Sequence, residues 1–181
     1  MYGRRPKESH RDTVTYEIDM LDFCIMRLTD RPKSWDQPDE YAYIETFLLH
    51  YRNLIRFFSG KNHHRTNEAE DLSTANPAVW AGRPLTEAEI NAIRKPAEAL
   101  DDAHLFIDIS QYIQHCTDRR AREDRGWDAV QMYQEIDPII SEFERFFPRP
   151  PERPRHKCNV LQVSNVTTFT TQSLSPSPRG H

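Results

Sequence analysis

Residues 43–60 read YIETFLLHYRNLIRFFSG. Ile44, Phe47, Leu48, Tyr51, Leu54, Ile55 and Phe58 fall on one face at 100° per residue, a continuous apolar stripe with a helical period. The stripe predicts a helix over roughly 39–59, and Ser59-Gly60 supplies the small-residue stop. On a wheel centred on Tyr51, His50 and Arg52 occupy opposite shoulders of the stripe, while Leu49 and Asn53 point away from it. A shoulder suits a half-buried polar side chain that finds its partner on a neighbouring helix.

Working outward, the same period recurs on both sides. Val14, Ile18, Leu21, Ile25 and Leu28 make a stripe over 13–30, with Asp12 or Thr13 as cap and Pro32 just past the end. A loop with Lys33-Ser34-Trp35-Asp36 joins the two helices. Residues 60–84 form a polar loop with Trp80 as its anchor. Thr86-Glu87-Ala88-Glu89 reads as a capping box opening a third helix that Pro96 breaks or kinks.

A fourth helix is expected over 97–120. Ala99, Phe106, Ile109, Ile113 and Cys116 share one face, and Leu100, Leu105, Ile107 and Tyr112 widen the apolar arc. Its polar residues lie on one edge, as in a central helix with a single wet side: Asp101, His104, Asp108, Gln111, His115 and Arg119. A fifth segment, 127–147, carries Trp127, Val130, Tyr133, Ile136, Ile140, Phe143 and Phe147, with a kink expected at Asp137-Pro138. These elements predict an all-α, up-and-down bundle of four to five helices over 12–147. A basic, flexible arm over 1–11 precedes it. A Pro/Ser/Thr-rich, disordered tail over 148–181 follows, in which Val160–Thr170 has the residues of a short strand.

Composition supports this class. The chain is 181 residues long, 37% hydrophobic and 29% charged, with 5 Gly against 13 Pro, which disfavours a sandwich or barrel built on glycine turns. No apolar run approaches the length of a membrane span, and the basic start leads into no apolar signal region. Cys24, Cys116 and Cys158 are isolated, which excludes a disulfide framework and a four-cysteine zinc site and fits a reduced, cytoplasmic protein. Charge is segregated: residues 12–46 hold nine acids and three bases, whereas 1–11 and 145–157 are basic. Such ends serve as arms for nucleic acid or acidic partners, or simply as solubilising termini. No aromatic residues interleave with the bases, so a stacking platform for single strands is absent.

Two places could carry chemistry. Along the edge of the fourth helix a carboxylate of Asp101 or Asp108 could orient His104 or His115, or the edge is a solvated face with ordinary ion pairs. His63-His64 in the loop are adjacent and have no third ligand at metal spacing. The chain has no phosphate-cradling glycine loop and no nucleophile elbow, and the sequence calls for neither cofactor nor metal.

The stretch 43–60, with its His-x-Arg-Asn-Leu core and aromatic pair, resembles a segment of uncharacterised bacterial all-helical proteins. ISQYIQHCTDRR (109–120), with His115 followed by Arg119-Arg120, resembles their second signature. Over roughly 13–147 the pattern is similar to the HEPN superfamily of helical bundles, many of them dimeric ribonucleases of toxin–antitoxin and defence systems. That superfamily's Arg-x(4–6)-His hallmark transfers only in part. Phe57 rather than a polar residue follows Arg56 in the Arg56–His63 match, Arg52 has Asn53 but no His at the right distance, and Arg5–His10 and Arg149–His156 fall in the ends. Matches at that rate are what chance supplies.

The resemblance instead groups His50, Arg52 and Asn53 with His115 and Arg119, if the second and fourth helices pack antiparallel. Such a cluster binds phosphate or RNA, with Arg holding the anion and His moving a proton. The same residues equally well satisfy one another between helices. The first expectation is therefore a non-catalytic dimerisation or partner-binding module, using off-stripe residues such as Leu49 and Phe57. The alternative is a HEPN-like, metal-independent ribonuclease or RNA-binding effector.

Overall fold

A computed structural model of the chain describes residues 7–31, 34, 36–60, 85–102, 106–114, 126–149, 151, 154–156 and 169–170. They form an all-α bundle of five helices: α1 (Lys7–Thr29), α2 (Gln37–Ser59), α3 (Glu87–Leu100), α4 (Phe106–Gln114) and α5 (Ala129–Phe146). A minimal antiparallel ladder joins β1 (Gly126–Trp127) to β2 (Phe169–Thr170), so part of the strand-like stretch before Thr170 does pair.

The stripe of 43–60 decides the packing as expected. Every one of its seven apolar residues is buried, and α2 touches all four other helices. Asp36 caps its start by accepting from the Asp39 N–H, with the Asp39 side chain returning to the Asp36 N–H. Gly60 ends it at φ 67°, a left-handed conformation that costs any residue with a Cβ. The stripe of α1 is buried as well. Glu17 meets His50 and Asn53, Phe23 meets Tyr43 and Arg31 meets Glu40, which makes α1 antiparallel to α2. Phe57 packs edge-on and Phe58 tilted against Phe143, which fixes α5 against the end of α2.

Several expectations change. α1 begins at Lys7, taking residues 7–11 from the basic arm, because Lys, Glu and Arg continue a helix readily and nothing before Asp12 interrupts it. Of the expected helix 97–120 the described residues are 97–102 and 106–114: α3 runs straight through Pro96, Asp101 and Asp102 continue it in π-helical form, and α4 covers Phe106–Gln114. Ala97 rather than Ala99 is buried, and Ile107 is exposed instead of lining the core. The central element is α2, not this segment.

α5 likewise continues through Pro138, with Asp128 rather than Asp137 as its cap. Burial on both sides of the proline, at Ile136, Ile139 and Ile140, outweighs the missing hydrogen bond. Phe57, expected on an interaction surface, is buried, whereas Leu49 stays exposed. The start of the 148–181 tail is tied down through Arg149 and Arg155. The loop 61–84, with His63, His64 and Trp80, lies outside the described residues. No described helix is long and apolar enough to cross a membrane.

Candidate functional site

Two polar clusters interrupt the apolar interfaces, and both are organised by carboxylates of α1. The first surrounds Glu17. One turn separates His50 from Asn53 on α2, so both reach the same oxygen across the α1–α2 interface. His50 Nδ1 lies 2.8 Å from Glu17 Oε2, and Asn53 Nδ2 donates to that oxygen at 3.1 Å. The Tyr16 ring stands edge-on to the imidazole, with centroids 5.7 Å apart. The His50 side chain is 6% exposed.

A carboxylate beside an imidazole is the arrangement that orients a general base, but a base must also reach a substrate proton. Here the imidazole is closed in by Tyr16 and the two helices, so the pair satisfies buried polar groups. Asn53, expected to point away, is half-buried on the His50 side of α2, 60° beyond it on the wheel.

Arg52 and Arg56 continue the polar side of α2. The pKa of Arg52 is lowered by burial and then by the neighbouring Arg56, against an opposing pull from Glu17. Burial also lowers Arg56, opposed by Asp101, whose carboxylate lies 3.7 Å from the Arg56 guanidinium. Asp101 thus serves Arg56 at the end of α3. His104, His115 and Arg119 lie outside the described residues; among the described residues the polar partner of His50 is Glu17.

Glu17 was missed at the level of sequence, although a signal exists. It is a charged residue on the shoulder of the α1 stripe, and helices joined by a short loop pack antiparallel as neighbours.

The second cluster lies between α1 and α5. Asp22 takes Arg155 through both oxygens, at 2.7 Å to Nε and 2.7 Å to Nη2. The Tyr133 hydroxyl donates to Asp22 at 2.7 Å and accepts from Arg155 Nη2 at 3.2 Å. Asp137 approaches the remaining nitrogen of Arg155 at 2.8 Å. Arg149 bridges Glu144 and Asp19. The Arg155 and Asp22 side chains are 4% and 3% exposed. Burial lowers the Arg155 pKa, but hydrogen bonding to Asp22 and its charge more than reverse this, leaving the group raised. Tyr133 is raised by burial and by its bond to Asp22.

Among the described residues no group of three His, Cys, Asp or Glu side chains is placed to hold a metal ion. Comparison of the chain with known proteins finds no matching family model, no matching curated protein and no matching solved structure.

Proposed function

We propose that the protein is a non-catalytic helical module that binds a protein partner through the outward face of α1. The observation that carries this reading is the exposure of Tyr16, Phe23 and Met26 on one side of that helix, with half-buried Met20 between the first two. Tyr16, Met20 and Phe23 stand at i, i+4 and i+7, the spacing of anchor residues in helix–groove recognition. Methionine adapts to such surfaces, and apolar residues clustered on one side of a helix, here with exposed Asp19 among them, mark an interaction site more than scattered ones do.

Asp12 and Asp30 are exposed on the same side, and the segment 12–46 carries nine acids against three bases. Two copies of so acidic a face repel each other, so the partner is a basic amphipathic helix.

The test titrates the full chain with a synthetic Lys/Leu amphipathic helical peptide at two salt concentrations. Binding is expected to weaken with salt, and Phe23→Ala with Met26→Ala to weaken it by about tenfold, or 1.4 kcal/mol, without lowering the melting temperature. Equal binding by the double variant, or a wild-type dimer that Phe23→Asp dissolves, contradicts the proposal.

A second reading, a HEPN-like metal-independent ribonuclease or RNA-binding effector, draws its support from Arg52 and Arg56. These residues stand one turn apart on α2, and burial followed by the charge of Arg56 lowers the pKa of Arg52. Phosphate is the ligand such a pair would favour. RNA cleavage in the presence of EDTA separates this reading from the first.

A further inference from the structure

Asp22, Tyr133, Asp137 and Glu144 wall a groove between α1 and α5 that is built around one guanidinium group. Asp22 engages Nε and Nη2 in parallel, Tyr133 adds a hydroxyl at Nη2, and Asp137 meets Nη1. Nε and Nη2 are hydrogen-bonded, and Nη1 lies within ion-pair distance of Asp137. An ammonium group presents no fork and cannot meet these positions together.

The chain that delivers Arg155 is fixed by side chains. Residues 154–156 belong to no helix or strand, and Pro148, Pro150, Pro151 and Pro154 favour an extended course. The anchors are Arg155 in the groove and Arg149 on Glu144 and Asp19. Among the described residues of this cluster four carboxylates (Asp19, Asp22, Asp137, Glu144) face two guanidinium groups.

We propose that this groove is an arginine-recognition site which the chain closes with its own Arg155, and that an extended arginine–proline segment of a partner protein takes the same place in trans. The segment 149–155, RPPERPR, shows the ligand chemistry: guanidinium for the groove, proline to hold the backbone extended at low entropic cost. The excess of carboxylates favours a cationic partner. The site borders the apolar strip on α1, since Met26 follows Asp22 by one turn, but its recognition chemistry does not depend on the function proposed above.

The test uses the full-length chain and a fluorescein-labelled peptide, PRPPERPRHK, corresponding to residues 148–157. Wild-type protein is expected not to bind, because Arg155 occupies the groove. Arg149→Ala with Arg155→Ala empties it, and this variant is expected to bind the peptide. Replacing the peptide's Arg155 equivalent by lysine should weaken binding by about tenfold, and adding Asp22→Asn to the protein should abolish it.

A folded double variant that ignores the peptide overturns the proposal. So does one that binds the arginine and lysine peptides equally, which would reduce the groove to general electrostatics. If the double substitution unfolds the chain, Arg155→Lys, which keeps a cation and its aliphatic stem in place, carries the same comparison. A wild-type dimer that forms with concentration and is lost in Arg155→Ala would assign the groove to a second copy and overturn the partner.

Discussion

Glu17 and Asp22 stand five residues apart on α1 and settle the two polar clusters in the same way. Each carboxylate takes two partners that the sequence places far away, His50 and Asn53 for Glu17, Arg155 and Tyr133 for Asp22. A buried ion pair is a weak source of net stability, yet removing one partner leaves the other charged and unpaired. Asp22→Asn is therefore expected to destabilise the protein by about 3–5 kcal/mol, read from urea denaturation. A loss below about 1 kcal/mol would mean that Arg155 is solvated instead of enclosed.

His50 and Arg52 were recognisable from their shoulder positions as polar residues at an interface, whereas Asn53 was placed away from it. Their partner was not, because a single sequence shows which face a residue occupies and says nothing of which carboxylate stands opposite. Arg155 was less legible still. A proline-rich basic run looks solvated until an acidic groove is known to wait for it.

At the scale of elements, apolar periodicity was a faithful guide and proline a misleading one. The stripes of α1 and α2 and the apolar residues of α5 are buried as their spacing predicts. Pro96 and Pro138 were read as interruptions, yet both sit inside helices. A proline costs a helix interior about 3 kcal/mol, while each large apolar side chain fully buried returns about 1.5–3 kcal/mol. α5 buries eight residues, among them Tyr133, Ile136, Ile139, Ile140 and Phe143, so one missing hydrogen bond is outweighed.

The helix takes π form at Asp101–Asp102, where Asp101 approaches Arg56, and no local residue announces it. Pro138→Ala is expected to raise stability by up to about 3 kcal/mol in thermal or urea unfolding. A destabilising result would show that the α5 backbone depends on the proline.

At the scale of the whole molecule, segregated charge turns out to be internal complementarity. The acidic α1–α2 hairpin receives two arginines of the basic segment after α5, so the charge pattern of the sequence, read as arms for an outside partner, is partly satisfied within the chain. The bundle also holds three acidic protons that the unfolded chain would release. Burial pushes the Cys24 thiol from 9.0 up to about 12. Tyr51 is raised by burial and then by Glu135, and Tyr133 by burial and its bond to Asp22.

In the unfolded chain these groups ionise from 9.0 and 10.0 upward while the fold keeps them neutral. Their joint contribution is complete below pH 9.0; that of Cys24 is lost as pH rises through about 12, and those of the two tyrosines are lost at higher pH still. The melting temperature is expected to hold up to about that lower limit and then fall. Tyr51→Phe, which deletes a buried hydroxyl without a hydrogen-bond partner among the described residues, should leave neutral-pH stability intact and reduce the alkaline loss. An unchanged alkaline slope in that variant would contradict the placement of Tyr51.

The most direct measurement is RNA cleavage by the purified full-length protein in EDTA, beside His50→Ala, with the melting temperature of both. A structural His50 predicts that neither protein cuts and that the variant loses about 1–3 kcal/mol, because Glu17 is left buried with one partner fewer. Cleavage by the wild type, absent from an equally stable His50→Ala, would contradict the account and make the Glu17–His50 pair a catalytic one.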